Sequence, residues 1–217
     1  MTDKMTLIIA EVATNRKAVA FTFDDEPDPS YTPQLLEIFR KAGAKATFFV
    51  VGEQVEAHPA IARSAYAEGH ELANHTFTHP FLTQVDGAKR AEELERAEAS
   101  IVGITGSKPL LFRPPYFDYD QETSDLVRSM GYTAIGANNT SARDWDVPGV
   151  EHILAETRKA VKSGSIFLFH DGYGDRSQTV EAVRILVSEL QEQGYEMVTV
   201  SELLGMADPA NETSTEG

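Results

Sequence analysis

Between residues 15 and 205, short apolar runs alternate with longer amphipathic stretches, with no internal repeat and no linker. Seven runs are expected as strands: Ala18–Phe23, Ala46–Val51, Glu71–Ala73, Leu110–Phe112, Thr133–Ala137, Ile166–Phe169 and Glu196–Val200. They are short, apolar on both faces and rich in β-branched or aromatic residues, the composition of parallel strands buried on both sides. A further run, Leu7–Val12, is expected to form a hairpin with the first strand through Asn15. Helical patterns fill the intervals. Pro33 suits the first turn of Thr32–Ala42 and Gly43 its end. Pro59–Glu68, Gln121–Met130 and Gln178–Gln193 stop at Gly69, Gly131 and Gly194, and Val150–Lys162 stops near Gly164. Gly87–Val102 places Glu92, Glu93, Glu95, Arg96 and Glu98 on what reads as a solvated face. Strand–helix alternation of this kind implies a parallel α/β fold. About seven strands suit a barrel, complete or not; an open doubly wound sheet has the same pattern. Residues 1–205 are expected to form a single domain, followed by a polar, flexible tail over 206–217.

Charge narrows the partners. Asp and Glu number 34 against 19 Lys and Arg, a net charge of −15. Such a surface repels phosphate backbones and anionic lipid heads, which excludes a nucleic-acid role. With no cysteine in the chain, any metal must be held by His and carboxylates. No apolar run approaches membrane-spanning length. The run Leu7–Ala10, flanked by Asp3 and Glu11, is too short for a secretory signal core. As the sequence stands, a cytoplasmic location is expected, or a secreted or wall-associated one if an export segment once preceded it.

The chemistry-bearing residues fall at one kind of position. Asp24 and Asp25 follow the first strand, His75 and His79 the third, and Arg113 the fourth; Asp144 and Trp145 lie in the loop after the fifth, and His170 and Asp171 follow the sixth. In parallel α/β folds the C-terminal strand ends share one face, where sites are built. Residues 75–79 form a His-x-x-x-His run; in a helical turn both rings share a face, and with one carboxylate they suit zinc. By itself that spacing is common on surfaces. Two consecutive carboxylates at a strand end are expected to face different ways, so that one can bind a metal and the other act as a base. Arg113-Pro-Pro-Tyr116 is a stiffened loop whose arginine can steady a carboxylate. His170, ending a buried strand, is a candidate acid or base. His70 reads as structural, His152 as a solvated helix residue, and His58 as part of a helix-entry turn.

Taken in order, Thr22-Phe-Asp24-Asp25, His75-Thr-Phe-Thr-His79, Arg113-Pro-Pro-Tyr116, Arg143-Asp144-Trp145 and Leu168-Phe-His170 resemble the five motifs of the polysaccharide deacetylases, carbohydrate esterase family four. The resemblance spans about residues 16–205. It implies a distorted (β/α) barrel, one divalent ion (zinc by default, cobalt or nickel as substitutes), and hydrolytic removal of N-acetyl groups from N-acetylglucosamine-containing glycans. Asp25, His75 and His79 match the metal ligands, Asp24 the base, Arg113 the residue holding that base, His170 the general acid and Asp144 the residue tuning it. Tyr116 matches the backbone donor to the oxyanion, and Trp145 and Leu168 the walls of the acetyl pocket. Two departures stand out. Glu26-Pro27 replaces a usual Gly-Pro, placing another negative charge beside the site. Ser141 and Asn138 stand where an aspartate and a tryptophan are frequent. An O-acetyl esterase of xylan type and a noncatalytic sugar-binding module are the rival readings.

Overall fold

The computed structural model describes residues 8–208. In chain order the elements are β1 (Ala18–Glu26), α1 (Thr32–Ala42), β2 (Thr47–Val50), α2 (Gly52–Ala57), α3 (Pro59–Ala67), β3 (Glu71–Asn74), α4 (Gly87–Thr105), β4 (Leu111–Phe112), α5 (Gln121–Ser129), β5 (Thr133–Ala134), α6 (Val150–Ala160), β6 (Ile166–His170), α7 (Ser177–Glu192), β7 (Glu196–Met197) and α8 (Val200–Leu204). All strand pairs are parallel, in the order β5-β4-β3-β2-β1-β6, with β7 beside the start of β1 at Ala18 and Val19. This is the α/β architecture of a distorted barrel. No helix of the described residues is long and apolar enough to cross a membrane.

The barrel closes without a regular strand pair between β5 and β6. The Asn138 N–H donates to the Ile166 carbonyl. The Asn139 side chain then imitates a strand backbone: its Oδ1 accepts the Leu168 N–H at 2.7 Å and its Nδ2 donates to the Leu168 carbonyl at 3.1 Å. The N-terminal segment fills the rest of this seam, bridging in parallel from Ile9 to Ile135 and antiparallel from Glu11 to Ser165. It therefore forms no hairpin with β1, because its hydrogen bonds go to the two strand ends that would otherwise stay open. Leu7 lies outside the described residues.

Side-chain alternation along β1 separates two cores. Val19, Phe21 and Phe23 point outward into the layer beneath α1 and α7, where the rings of Phe21, Phe39, Phe167 and Phe169 pack edge-on and stacked. Ala18 and Ala20 point inward with Phe49, Ala73, Leu111 and Ile166. Val200 and Leu203 of α8 join this inner set and close the lower end of the barrel. The last expected strand thus stops at Met197. A capping box between Thr199 and Glu202 satisfies the first helical N–H groups and turns the chain into α8. The fifth expected strand shortens to two residues for a similar reason, its continuation being the seam at Asn138 and Asn139. Of the expected tail, Met206 packs against the inner core and the Asp208 N–H donates to the Ala13 carbonyl; residues 209–217 lie outside the described part.

Candidate active site

The period of two that builds the inner core also aims its chemistry. Beyond Ala18 and Ala20, the next inward positions of β1 are Thr22 and Asp24. Beyond Ile166 come Leu168 and His170; beyond Ala73 comes His75; beyond Leu111 comes Arg113. Asp25 should face away by this rule, yet it lines the same cleft as Asp24. The register with β2 slips between Asp24 and Glu26, and Asp25 adopts φ +78°. A bulge at a strand end re-aims a side chain in this way, so the expectation that the two carboxylates diverge is corrected.

The His75–His79 segment is likewise a loop and not the helical turn expected. Thr76 and His79 have φ of +69° and +60°. Buried partners hold this shape. Asn74 Oδ1 accepts the Thr76 N–H at 2.9 Å, and Thr76 Oγ1 accepts the His79 N–H at 3.1 Å. From α4, the Glu93 carboxylate accepts the Phe77 N–H at 3.0 Å, the Thr78 N–H at 2.7 Å and the Thr78 hydroxyl at 2.8 Å. Glu93 is fully buried, which corrects its placement on a solvated face: three main-chain and hydroxyl donors replace the water it gives up.

One ligand atom each from Asp25, His75 and His79 lies within 4.8 Å of the others. His75 Nδ1 is 2.7 Å from the Arg113 carbonyl, an oxygen that can only accept, so Nδ1 carries the proton and Nε2 presents its lone pair. Asp25 Oδ1 is buried without a hydrogen bond and sits 3.3 Å from His79 Nε2 and 3.9 Å from His75 Nε2. Burial, reinforced by His75, lowers the His79 pKa to about 3, which keeps the ring neutral. The two imidazoles and one orphaned carboxylate oxygen fit a divalent cation and leave coordination positions open. The three residues form a divalent-metal-binding triad.

Two hydrogen-bonded pairs flank the triad. On one side Arg113, fully buried, donates from Nη1 to Asp24 Oδ1 at 2.6 Å and to Thr22 Oγ1 at 2.7 Å. Its other nitrogens donate to the Ile135 and Gly136 carbonyls, and its plane lies 4.1 Å from the Phe49 ring centre. Burial acts to raise the Asp24 pKa, but Arg113, His75 and His170 outweigh it and leave the carboxyl below its ordinary range. On the other side His170 Nδ1 lies 2.9 Å from Asp144 Oδ1, while Asp144 Oδ2 accepts the His170 N–H and the Thr179 hydroxyl. Burial acts to lower the His170 pKa; the charge and hydrogen bond of Asp144, with Asp24 and Asp25, overcome it and raise the value to about 9.

These groups open into a cleft of about 590 Å³, also lined by Tyr116, Trp145 and Leu168. Tyr116 takes φ +58° in a turn where the Phe117 and Asp118 N–H groups are committed to the Pro114 and Pro115 carbonyls. Trp145 stands edge-on to His170 with ring centres 5.3 Å apart, and Leu168 is buried on the wall. Aromatic side chains crowd the mouth: Phe81 stacks on Tyr116 at 3.9 Å, and Tyr116, Phe117, Trp145 and Tyr173 are all substantially exposed. The two departures lie away from this mouth. Glu26 is fully buried with both oxygens lacking hydrogen bonds, and burial and the neighbouring Asp171 push its pKa well up. It is not among the residues lining the cleft. Asn138 turns to the Ala160 carbonyl and the Ser165 hydroxyl; Ser141 is exposed outside the cleft lining. Thr179 and Arg176 carry no signal in the sequence, and Thr22 and Glu93 give none of their supporting roles, because nothing in their local spacing points to partners on other elements.

Comparison with known proteins agrees with this geometry. A family model described as polysaccharide deacetylase matches residues 11–135. The peptidoglycan-N-acetylglucosamine deacetylase of Bacillus cereus is 42% identical over 195 residues, covering 89% of this chain and 91% of that protein. The chitooligosaccharide deacetylase of Azorhizobium caulinodans is 33% identical, covering 86% and 94%. Among solved structures, the Bc1960 peptidoglycan N-acetylglucosamine deacetylase superposes with a TM-score of 0.87 at 26% identity, covering 92% of this chain and 94% of that one. A mutant of a pseudoenzyme of family CE4, with restored activity, gives a TM-score of 0.84 at 29% identity, covering 93% and 72%. The match from the first strand through Arg113 and beyond, on a barrel that gathers His170 and Asp144 from outside the matched span, shows that this chain belongs to the polysaccharide deacetylase family.

Proposed function

We propose that this chain is a metal-dependent hydrolase that removes N-acetyl groups from N-acetylglucosamine-containing glycans. One observation carries the reading: a two-histidine, one-carboxylate cluster lies between a carboxylate held ionised by Arg113 and a histidine held protonated by Asp144. The relatives named for peptidoglycan and chitooligosaccharide substrates support the substrate class. The first cation to bind in the triad is read as zinc from its N/O donor set, with cobalt or nickel able to replace it.

Held by Asp25, His75 and His79, a divalent ion would supply Lewis acidity toward the acetyl carbonyl and toward water. The protein's own groups do the rest. Asp24, whose Oδ2 is 3.7 Å from His75 Nε2, faces the reacting water and takes its proton, and Arg113 keeps that carboxylate aimed and ionised. The Tyr116 N–H is read as the donor to the oxygen that gains charge, its residue lining the cleft. His170, its Nδ1 bonded to Asp144, delivers the Nε2 proton to the departing nitrogen, which is a poor leaving group as an anion. Leu168 and Trp145 enclose the acetyl methyl and exclude water.

The test is acetate release from N-acetylchitooligosaccharides, peptidoglycan fragments and acetylated xylan, with the chain stripped of metal and then reloaded. Release from the amide substrates after reloading is expected, with about one ion bound per chain. His79→Ala should lose both the ion and the activity. Release from acetylated xylan alone, or full metal occupancy in His79→Ala, overturns the assignment.

A further inference from the structure

Arg176 stands apart among the buried cations of the described residues. Arg113 and Arg90, also buried, are paired with carboxylates, Asp24 in one case and Asp120 and Glu122 in the other. Arg176 is 5% exposed and forms no such ion pair. Its guanidinium donates only to main-chain oxygens: Nε to the Gly172 carbonyl at 2.8 Å, Nη2 to that of Tyr173 at 2.8 Å, and Nη1 to those of Trp145 at 3.2 Å and Asp175 at 3.5 Å. It also contributes surface to the cleft. The Asp25 and Asp175 carboxyl groups feel its charge through space, but neither bonds to it. A buried charge with no directly bonded carboxylate is costly, so its place needs a reason beyond filling space.

The carbonyls it gathers come from two loops that meet nowhere in the sequence. Gly172, Tyr173 and Asp175 belong to the segment leaving His170. Trp145 belongs to the single helical turn Asp144–Asp146, whose aspartate grips His170 and whose tryptophan walls the cleft. The turn is entered and left through left-handed residues, Arg143 at φ +46° and Val147 at φ +53°, so its backbone needs outside support to keep its shape. The planar fork of an arginine can engage carbonyls of both loops at once, which a lysine ammonium cannot match.

The geometry points to Arg176 as a positioning residue: it clamps the Trp145 turn to the loop after His170 and so fixes the size of the acyl pocket. The consequence for acyl-group selectivity rests on the deacetylase reading; the clamp itself does not.

Trp145 is the sole tryptophan of the chain, so its fluorescence reports the clamp directly, with or without catalysis. Emission and acrylamide quenching should be compared in the full-length wild type, R176K and R176Q, with far-UV circular dichroism and metal content measured on the same samples. With secondary structure and metal loading retained, both variants should shift Trp145 emission to longer wavelength and steepen its quenching, and R176K should not rescue. On N-acetylchitotriose the variants should lose roughly ten- to a hundredfold in kcat, since a misplacement of about 1 Å can cost about a hundredfold, with KM little changed. The preference for N-acetyl over N-propionyl chitotriose, typically tenfold or more per methylene in a fitted pocket, should shrink. Unchanged emission and quenching in both variants overturn the clamp. A wild type that releases no acetate while the variants show the fluorescence change overturns the deacetylase reading and leaves the clamp standing.

Discussion

His170 can act as an acid only while its ring keeps a proton that Asp24 has already lost. The two environments push the groups in the required directions. Asp24 lies below its ordinary pKa beside Arg113, and His170 rises to about 9 beside Asp144. Activity should therefore persist through neutral pH and fall as pH rises through the His170 value. Asp24 and Asp25 contribute to that rise, so a divalent ion beside them offsets part of it and brings the alkaline limb below about 9. Asp144→Asn keeps the shape but removes the charge. Burial then prevails at His170, and the alkaline limb of kcat/KM should move to lower pH; an unmoved limb removes His170 from the acid role. Because the two groups sense each other, the limbs describe the site as a whole. Asp24→Asn should keep the bound ion, measured by elemental analysis, while kcat falls by roughly a hundredfold or more. Loss of the ion in Asp24→Asn and its retention in Asp25→Asn would reverse the two roles.

Among the elements, α4 does more for the site than its polar sequence suggests. Asp86 caps its first turn by accepting the Lys89 N–H at 2.8 Å. From there the helix presents three supports to the metal-ligand loop. Glu93 accepts from Phe77 and Thr78, the Leu94 carbonyl accepts from Asn74 Nδ2 at 2.9 Å, and the Arg96 guanidinium lies 3.6 Å from the Phe77 ring centre. These contacts hold Thr76 and His79 in left-handed conformations that neither residue adopts freely. Glu93→Ala strands two main-chain N–H groups and frees the loop. Metal affinity, read by competition with a chelator, should fall roughly 10–100-fold, the usual effect of losing outer-sphere support. Unchanged affinity would mean that Thr76 and Asn74 alone hold the loop.

The whole molecule depends on a seam that is not a strand pair. Asn139 substitutes one side chain for the missing ladder between β5 and β6, at a position 1% exposed. Asn139→Leu fills the same space and leaves the Leu168 N–H and carbonyl without those partners, a loss of about 1–3 kcal/mol. For a chain of this size each kcal/mol lowers the melting temperature by about 2–4 °C, and thermal unfolding measures the sum. Because Leu168 lines the cleft and His170 follows two residues later, kcat should fall along with stability. A stability loss with kcat untouched would separate the seam from the site. At the same scale, the net charge of −15, with the Arg176 guanidinium spent on carbonyls, favours an uncharged glycan over one dense in carboxylates.

Local pattern determined much of this protein. Apolar runs fixed seven strand positions, helix stops at glycines bounded most helices, and the order of five short motifs identified the family; alternation alone puts Asp24, His75, Arg113 and His170 on one face. Each of these follows from the stiff geometry of a strand or helix over a few residues, which sequence spacing encodes. The tertiary structure decided what depends on neighbours far along the chain. It set the bulge that turns Asp25 into the cleft, the loop that replaces a helical turn at His75–His79, and the burial of Glu93 and Glu26. It also set the N-terminal segment in the seam, α8 beneath the barrel, and the clamp at Arg176. In each case local preference is weak or is overridden. The choice falls to hydrogen bonds and burial supplied by elements tens of residues away, which no short window of sequence contains.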